Sequence, residues 1–261
     1  LTEVVIVDNQ DAAGALVAAH ILDLIRAKPD TTLGLATGST PLAVYRSLAA
    51  QLPSGRVDVS RVRGFALDEY VGLPPGHPES YRSVIGREVV GPLGLTPELI
   101  SVPDGTLDGI RTAGDHYENA IIAAGGIDLQ ILGIGSDGHI GFNEPGSSLA
   151  SLTRVKTLTQ QTRRDNARFF ASEADVPLHC ITQGLGTILR ARHLVLLAFG
   201  NGKAAALAGA VEGPVSSSNP GSAIQLHPHV TVLADEAAAS HLANRDYYRF
   251  AWANKPEWQG I

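Results

Sequence analysis

The chain has 261 residues, 44% of them hydrophobic, which is enough to bury a full core, and it carries a formal charge of −6. Its 20 basic residues are scattered, which with the acidic balance excludes a nucleic-acid surface, so no DNA or RNA partner is expected. A single cysteine, Cys180, excludes an intramolecular disulfide and a cysteine metal cluster, and makes a cytoplasmic location the default. No apolar run reaches the roughly 18 residues of a membrane span and no signal-peptide pattern opens the chain, so no membrane partner is expected either.

In chain order, Val4 to Val7 reads as a strand before a helix from Ala12 to Ala27, and Thr32 to Ala36 as a strand before a helix from Pro41 to Leu52. Phe65 opens a further apolar strand, and Ile127 to Ile134 is a buried one. The alternation returns with His193 to Phe199 before a helix from Lys203 to Val211, and Val230 to Leu233 before Glu236 to Ala243. Such a succession predicts an α/β fold: an open, mostly parallel twisted sheet with helices on both faces, Rossmann-like and doubly wound, in a single catalytic domain spanning 1–261. Sheets of this kind bind ligands at the carboxyl ends of their strands, where the strand order switches direction.

Four strand ends carry unusual residues. After the second strand comes ATGSTP, where Gly38, Ser39 and Thr40 run into a helix with Thr40 as its expected N-cap and Pro41 at its first position. Free backbone N–H groups and the helix dipole there suit a phosphate. FALDEYVGLP delivers two adjacent carboxylates, Asp68 and Glu69, whose side chains must point to opposite faces of a strand, so that one alone faces a pocket directly. GIGSDGHIGFNEPGSS places Asp137, His139 and Glu144 within eight positions, a candidate acid/base cluster. In AFGNGKAAAL, Lys203 stands at a helix start against the dipole, which a bound anion would explain.

Gly133, Gly135 and Gly138 match the GxGxxG spacing of a dinucleotide fingerprint. Gly138 leads into a loop, however, and the window about 20 positions on, around Arg154 and Lys156, lacks a carboxylate, so no nicotinamide cofactor is expected. No phosphate-loop GxxxxGK[ST] occurs, and the HPH of His227 to His229 is too isolated for a metal site.

Taken together, TGSTP, LDEYVGLPPGHPESYRS, GIGSDGHIGFNEPGSS, RVKTLT, NARFF and GKAAALAGAVEG closely resemble the glucosamine-6-phosphate deaminase family over nearly the whole chain. The resemblance implies conversion of glucosamine 6-phosphate and water to fructose 6-phosphate and ammonia in amino-sugar catabolism, with no cofactor and no metal. By the same resemblance Asp68 is the base that moves a proton between C2 and C1 of the open-chain sugar, while His139, oriented by Asp137 and Glu144, assists ring opening. Gly38, Ser39, Thr40, Arg168 and Lys203 match the phosphate-binding set. A lid at about 160–175, with Arg163, Arg164 and Arg168, suits closure over the phosphate.

Regulated members of the family are hexamers activated by N-acetylglucosamine 6-phosphate, and their activator residues match Ser147, Ser148, Arg154, Lys156 and Thr157. A homo-oligomer, with a hexamer favoured, is therefore expected, although Leu152 stands where a basic residue is common. Two other readings stay open: a 6-phosphogluconolactonase-like hydrolase, which shares the fold and a DGH-like loop, and a non-catalytic sugar-phosphate sensor.

Overall fold

A computed structural model describes residues 2–55, 57–256 and 258–261. Its strands are β1 (Thr2–Val7), β2 (Thr32–Leu35), β3 (Arg63–Ala66), β4 (Asp68–Tyr70) and β5 (Ile100–Ser101). They continue with β6 (Leu129–Gly133), β7 (Arg154–Thr157), β8 (His179–Thr182), β9 (His193–Ala198) and β10 (Val230–Asp235). The helices are α1 (Gln10–Ala27), α2 (Leu42–Gly55), α3 (Tyr81–Ile85), α4 (Gly91–Leu93) and α5 (Ile110–Ala123). Beyond these come α6 (Gln160–Asn166), α7 (Leu185–Ile188), α8 (Ala204–Val211) and α9 (Arg245–Ala253).

Seven strands form one sheet in the order β1-β10-β9-β6-β2-β3-β5, with every neighbouring pair parallel. Strands β2 and β9 are buried along their whole length, which explains their unbroken apolar sequences: a parallel sheet is covered on both faces. From β2 the chain runs outward to β3 and β5, then returns to the other side of β2 as β6 and proceeds outward through β9 to β10, which lies beside the first strand, β1. The strand order therefore reverses between β2 and β6, and the expected α/β architecture holds with its ligand crevice assigned to that junction.

Helix α1 shows how the layers close. Its buried Ala13, Val17, Ile21 and Ile25 recur every four residues and form one stripe, and Asn9 caps the first turn by accepting a 2.9 Å hydrogen bond from the Ala12 N–H. At Gly14 the backbone of α2 comes so near that a Cβ would lie 2.5 Å from the Ala43 carbonyl oxygen.

Three expectations need correction. Helix α2 starts at Leu42, one residue late: the Pro41 carbonyl accepts from Val44 and Tyr45, so Pro41 flanks the helix and Thr40 stands one step outside it. In place of a helix from Glu236 to Ala243 there is a 3₁₀ turn, Ala238–His241, because the Asp235 carboxylate takes the Ala238 N–H; the α-helix follows as α9. The third is a second sheet that no apolar run announced. Strands β4, β8 and β7 pair antiparallel, and the chain crosses between sheets at Leu67, whose N–H donates to Leu35 of the main sheet while its carbonyl accepts from Gln183 beside β8.

Candidate active site

The loops after β2, β6 and β9 meet the start of β4 around a cavity of about 380 Å³. Gly38, Ser39, Thr40, Asp68, His139, Arg168 and Lys203 all line it, so residues from five separate parts of the chain converge as the sequence motifs require. Its size is that of a small-molecule pocket.

On the anion side, Gly38 has φ +90°, a left-handed turn that brings the 38–40 backbone to the cavity wall ahead of α2. Lys203 sits at the N-cap position of α8, where its charge opposes the helix dipole. Burial lowers its pKa, and Asp165 and Asp137 partly offset this while Arg168 adds to it. Two cations and the 38–40 turn thus line one cavity, and cationic side chains with backbone N–H groups ahead of a helix are groups that suit an anion.

Asp68 opens β4 and is 6% exposed. Burial, and next the charge of Glu69, push its carboxyl well above the ordinary carboxylate range. The alternation expected along the strand is present. Glu69 points away from the cavity and accepts the N–H groups of Tyr70, Tyr81 and Arg82 at 2.8, 2.8 and 2.9 Å, which pins the start of α3 to the second sheet. Burial raises the Glu69 pKa, and these three bonds moderate the rise.

The loop after β6 brings His139 to the opposite wall. Its Nδ1 lies 2.7 Å from Asp137 Oδ1 and 3.7 Å from Glu144 Oε2, and its backbone N–H also reaches Asp137 Oδ1, at 3.1 Å. Burial would raise the Asp137 pKa, but the hydrogen bond and charge of His139 outweigh it and hold it down at about 2. Nδ1 is thus engaged with carboxylates behind the ring, while the ring itself lines the cavity. Gly135 makes room for it, since a Cβ there would come within 2.3 Å of the imidazole. A Cβ at Gly141, two residues on, would come within 3.6 Å of Asp68 Oδ2, so the imidazole loop and the carboxylate strand abut. The donor atoms of Asp137, His139 and Glu144 all lie within 4.8 Å of one another, compact enough to hold a cation.

The residues matched to an activator site divide. Ser147 is buried and donates back to the Glu144 carbonyl at 2.7 Å, while Ser148 is exposed. Arg154 and Lys156 alternate with exposed Val155 and Thr157 on β7. Arg154 Nη1 donates to Asn143 Oδ1 at 2.6 Å, and Asn143 lies between His139 and Glu144, so β7 is tied directly to the imidazole loop.

Sequence reasoning missed Tyr70, Tyr81 and Asn166, which also line the cavity. Tyr70 was within reach, because it stands two residues beyond Asp68 on the same face of the strand. The isolation assigned to the HPH motif is also corrected. His229 stacks on His193 at 3.7 Å and 3°, and His20 meets His193 edge-on at 5.2 Å. His227 faces the carbonyls of His229 and Ala191, at 2.8 and 2.7 Å. Strand pairing brings His193 and His229 together at the starts of β9 and β10, the end of the sheet opposite the cavity, where His20 reaches them from α1.

Residues 8–233 match the family model described as glucosamine-6-phosphate isomerases/6-phosphogluconolactonase. The chain is 61% identical over 260 residues to a glucosamine-6-phosphate deaminase of Streptomyces avermitilis, covering 99% of this chain and 100% of that one. It is 60% identical over 270 residues, all of both chains, to a glucosamine-6-phosphate deaminase of Bifidobacterium longum. A solved structure described as a monomeric glucosamine-6-phosphate deaminase, the missing link of the NagB superfamily, superposes with a TM-score of 0.89 at 38% identity, over 92% of this chain and 99% of that one.

Proposed function

This chain belongs to the family of glucosamine-6-phosphate isomerases and 6-phosphogluconolactonases, and we propose that within it the protein is a glucosamine-6-phosphate deaminase. The observation that carries the reading is one cavity holding a buried, desolvated carboxylate, Asp68, and a carboxylate-oriented imidazole, His139, with a cationic anion site alongside. Abstracting a proton from carbon beside a carbonyl needs one positioned base of raised basicity, and opening a pyranose needs a separate group at the ring oxygen.

The proposed sequence uses each group once. The 38–40 turn, Arg168 and Lys203 hold the phosphate, and this remote binding fixes C2 against Asp68. His139 takes the proton of the C1 hydroxyl and returns it to the ring oxygen as the C1–O5 bond breaks, giving the open-chain aldehyde. Asp137 and Glu144 keep its ring in orientation. Asp68 then removes the C2 hydrogen as the electrons move to the C1 oxygen, which takes a proton from the C2 ammonium to give the enolamine; Asp68 returns its proton to C1 as the nitrogen lone pair forms the C2=N bond. The resulting imine at C2 adds water and releases ammonia, leaving fructose 6-phosphate. No step calls for a redox cofactor or a metal.

Lactone hydrolysis, the family's other activity, requires an activated water and no carbon-acid base, so a buried Asp68 has no task in it. A sensor would need neither group. Segment 160–175 we read as a lid, since Asn166, Arg168, Phe169 and Phe170 form one wall of the cavity. The same proposal includes a single catalytic domain, a reducing cytoplasmic setting consistent with one buried thiol at Cys180, and a regulated homo-oligomer, with a hexamer favoured. For regulation, the support is the Arg154–Asn143 bond: an anionic effector drawing on Arg154 would act on the loop that holds His139.

The test is turnover. Glucosamine 6-phosphate should give ammonia and fructose 6-phosphate in equal amounts, and 6-phosphogluconolactone should be hydrolysed no faster than in buffer. Lactone hydrolysis without ammonia release would assign the chain to the other branch of the family.

A further inference from the structure

Tyr70 shares the cavity face of β4 with Asp68 and is 2% exposed. Its ring packs against Tyr81 at 4.9 Å, Phe170 at 5.5 Å and Phe142 at 5.7 Å. Inside that packing its oxygen accepts a 3.0 Å hydrogen bond from Asn166 Nδ2, and the Tyr81 hydroxyl lies 3.4 Å away. Tyr81 in turn faces the Thr37 side chain, next to the Gly38 turn. A polar chain therefore runs through the cavity lining from Thr37, next to the 38–40 turn, to Asn166, the last residue of α6 and two residues before Arg168.

The 160–175 segment is preceded by Thr159, whose N–H donates to Glu144 Oε1 at 3.1 Å, and its Phe170 stacks on His77 at 5.9 Å, but the segment's own hydrogen bonds among the described residues are otherwise local. Thr159 caps α6 through Thr162, and the Arg163 guanidinium donates to the carbonyls of Glu173 and Val176. These give the segment its own shape without fixing its distance from β4. What ties it to the base strand is the Asn166–Tyr70 bond, with Phe170 packed on the Tyr70 ring beside it.

We propose that Tyr70 is a positioning residue: through Asn166 it sets the placement of Arg168 against the 38–40 turn and Lys203, and so the affinity for the phosphate of the substrate. The inference rests on the deaminase reading for the identity of that substrate. Because the tyrosine acts on the phosphate end, its loss falls on binding, with the proton transfers at C1 and C2 largely intact.

The experiment is a double-variant cycle with Tyr70→Phe and Asn166→Ala, read both by steady-state kinetics with glucosamine 6-phosphate and by calorimetric binding of fructose 6-phosphate. Tyr70→Phe should raise KM and the fructose 6-phosphate Kd about tenfold while kcat stays within about threefold. Asn166→Ala should do the same, and the double variant should be no worse than Tyr70→Phe, because that change already removes the Asn166–Tyr70 bond. Unchanged KM and Kd in Tyr70→Phe, a fall in kcat alone, or effects that multiply in the double variant would each overturn the assignment. The binding arm separates the two claims: a wild-type protein that binds fructose 6-phosphate but releases no ammonia refutes the deaminase reading while the Kd series still judges Tyr70. A wild type that binds no sugar phosphate refutes both.

Discussion

The role proposed for Asp68 pairs a catalytic advantage with a structural cost. Its folded pKa lies above the unfolded value of about 3.8, so the ionised form is disfavoured by the fold and the penalty is present at neutral pH, easing only as the pH falls through the folded pKa. Asp68→Asn should therefore release ammonia at least about 10²-fold more slowly, the scale of a lost general base, while unfolding at a higher Tm than wild type by calorimetry. A variant with lower Tm would show that the carboxylate is satisfied in a way burial does not suggest. From the same direction of shift, the acid limb of kcat/KM should fall above the ordinary carboxylate range, as a rate–pH profile would reveal. That one alone of Asp68 and Glu69 faces the cavity was legible in sequence because strand alternation divides neighbours between two faces; the choice of Asp68 came from the family resemblance. That of Tyr70 was only half legible: its place on the cavity face follows from alternation, but its partner Asn166 is 96 residues away and no local pattern links them.

Among the elements, the loop after β6 depends on a close approach more than on any hydrogen bond. The space beside the His139 ring exists because Gly135 lacks a Cβ, whose nearest contact would be 2.3 Å from the imidazole. Gly135→Ala should displace the ring and lower kcat by about 10² or more, with fructose 6-phosphate affinity nearly unchanged because the phosphate site lies on other loops. Calorimetric binding beside turnover would check this, and loss of both together would count against a local effect. Helix α1 offers a contrasting case in which stability alone is at stake: Asn9→Ala removes the cap to Ala12 and should cost about 1 kcal/mol in urea unfolding without touching activity. The parallel strands other than β5, which is two residues long and half-buried, were readable because burial on both faces demands unbroken apolar runs. Strands β7 and β8 were not, being four residues long, and neither was the transfer of Asp68–Tyr70 to a second sheet, which rests on pairings such as Asp68 with Thr182 that only the folded chain reveals. The late start of α2 has a similar origin, since a proline fits either side of a helix boundary.

Over the whole molecule, the sheet separates two groups of titratable residues. The catalytic cavity gathers at the carboxyl ends of the strands; at the opposite end lie His20, His193, His227 and His229, faced by Lys255 and Asp23. Burial first, and then the neighbouring histidines, hold His193 down at about 3, and His20 and His229 are lowered too, burial again leading. A histidine kept neutral by the fold contributes stability that is present above its unfolded pKa of about 6.5 and lost as the pH falls toward the folded value. Wild-type protein should therefore lose stability between about pH 6.5 and pH 4, well above the window in which Asp137, held at about 2, gives up its own contribution below about 3.8. His193→Gln should flatten that loss, seen as a smaller drop in the urea midpoint between pH 7.5 and pH 5, and an unchanged drop would place the acid sensitivity elsewhere. At the cavity end of the sheet, β7, the imidazole loop and β4 are joined by hydrogen bonds and strand pairing. The division of labour between Asp68 and His139 is best tested by the fate of the C2 hydrogen. With glucosamine 6-phosphate deuterated at C2, wild-type protein should form fructose 6-phosphate with the label at C1 or in water, more slowly than from unlabelled substrate, whereas Asp68→Asn should bind fructose 6-phosphate and leave the label at C2. Release of the label by Asp68→Asn at more than about a tenth of the wild-type rate would contradict the assignment of Asp68 as the carbon base.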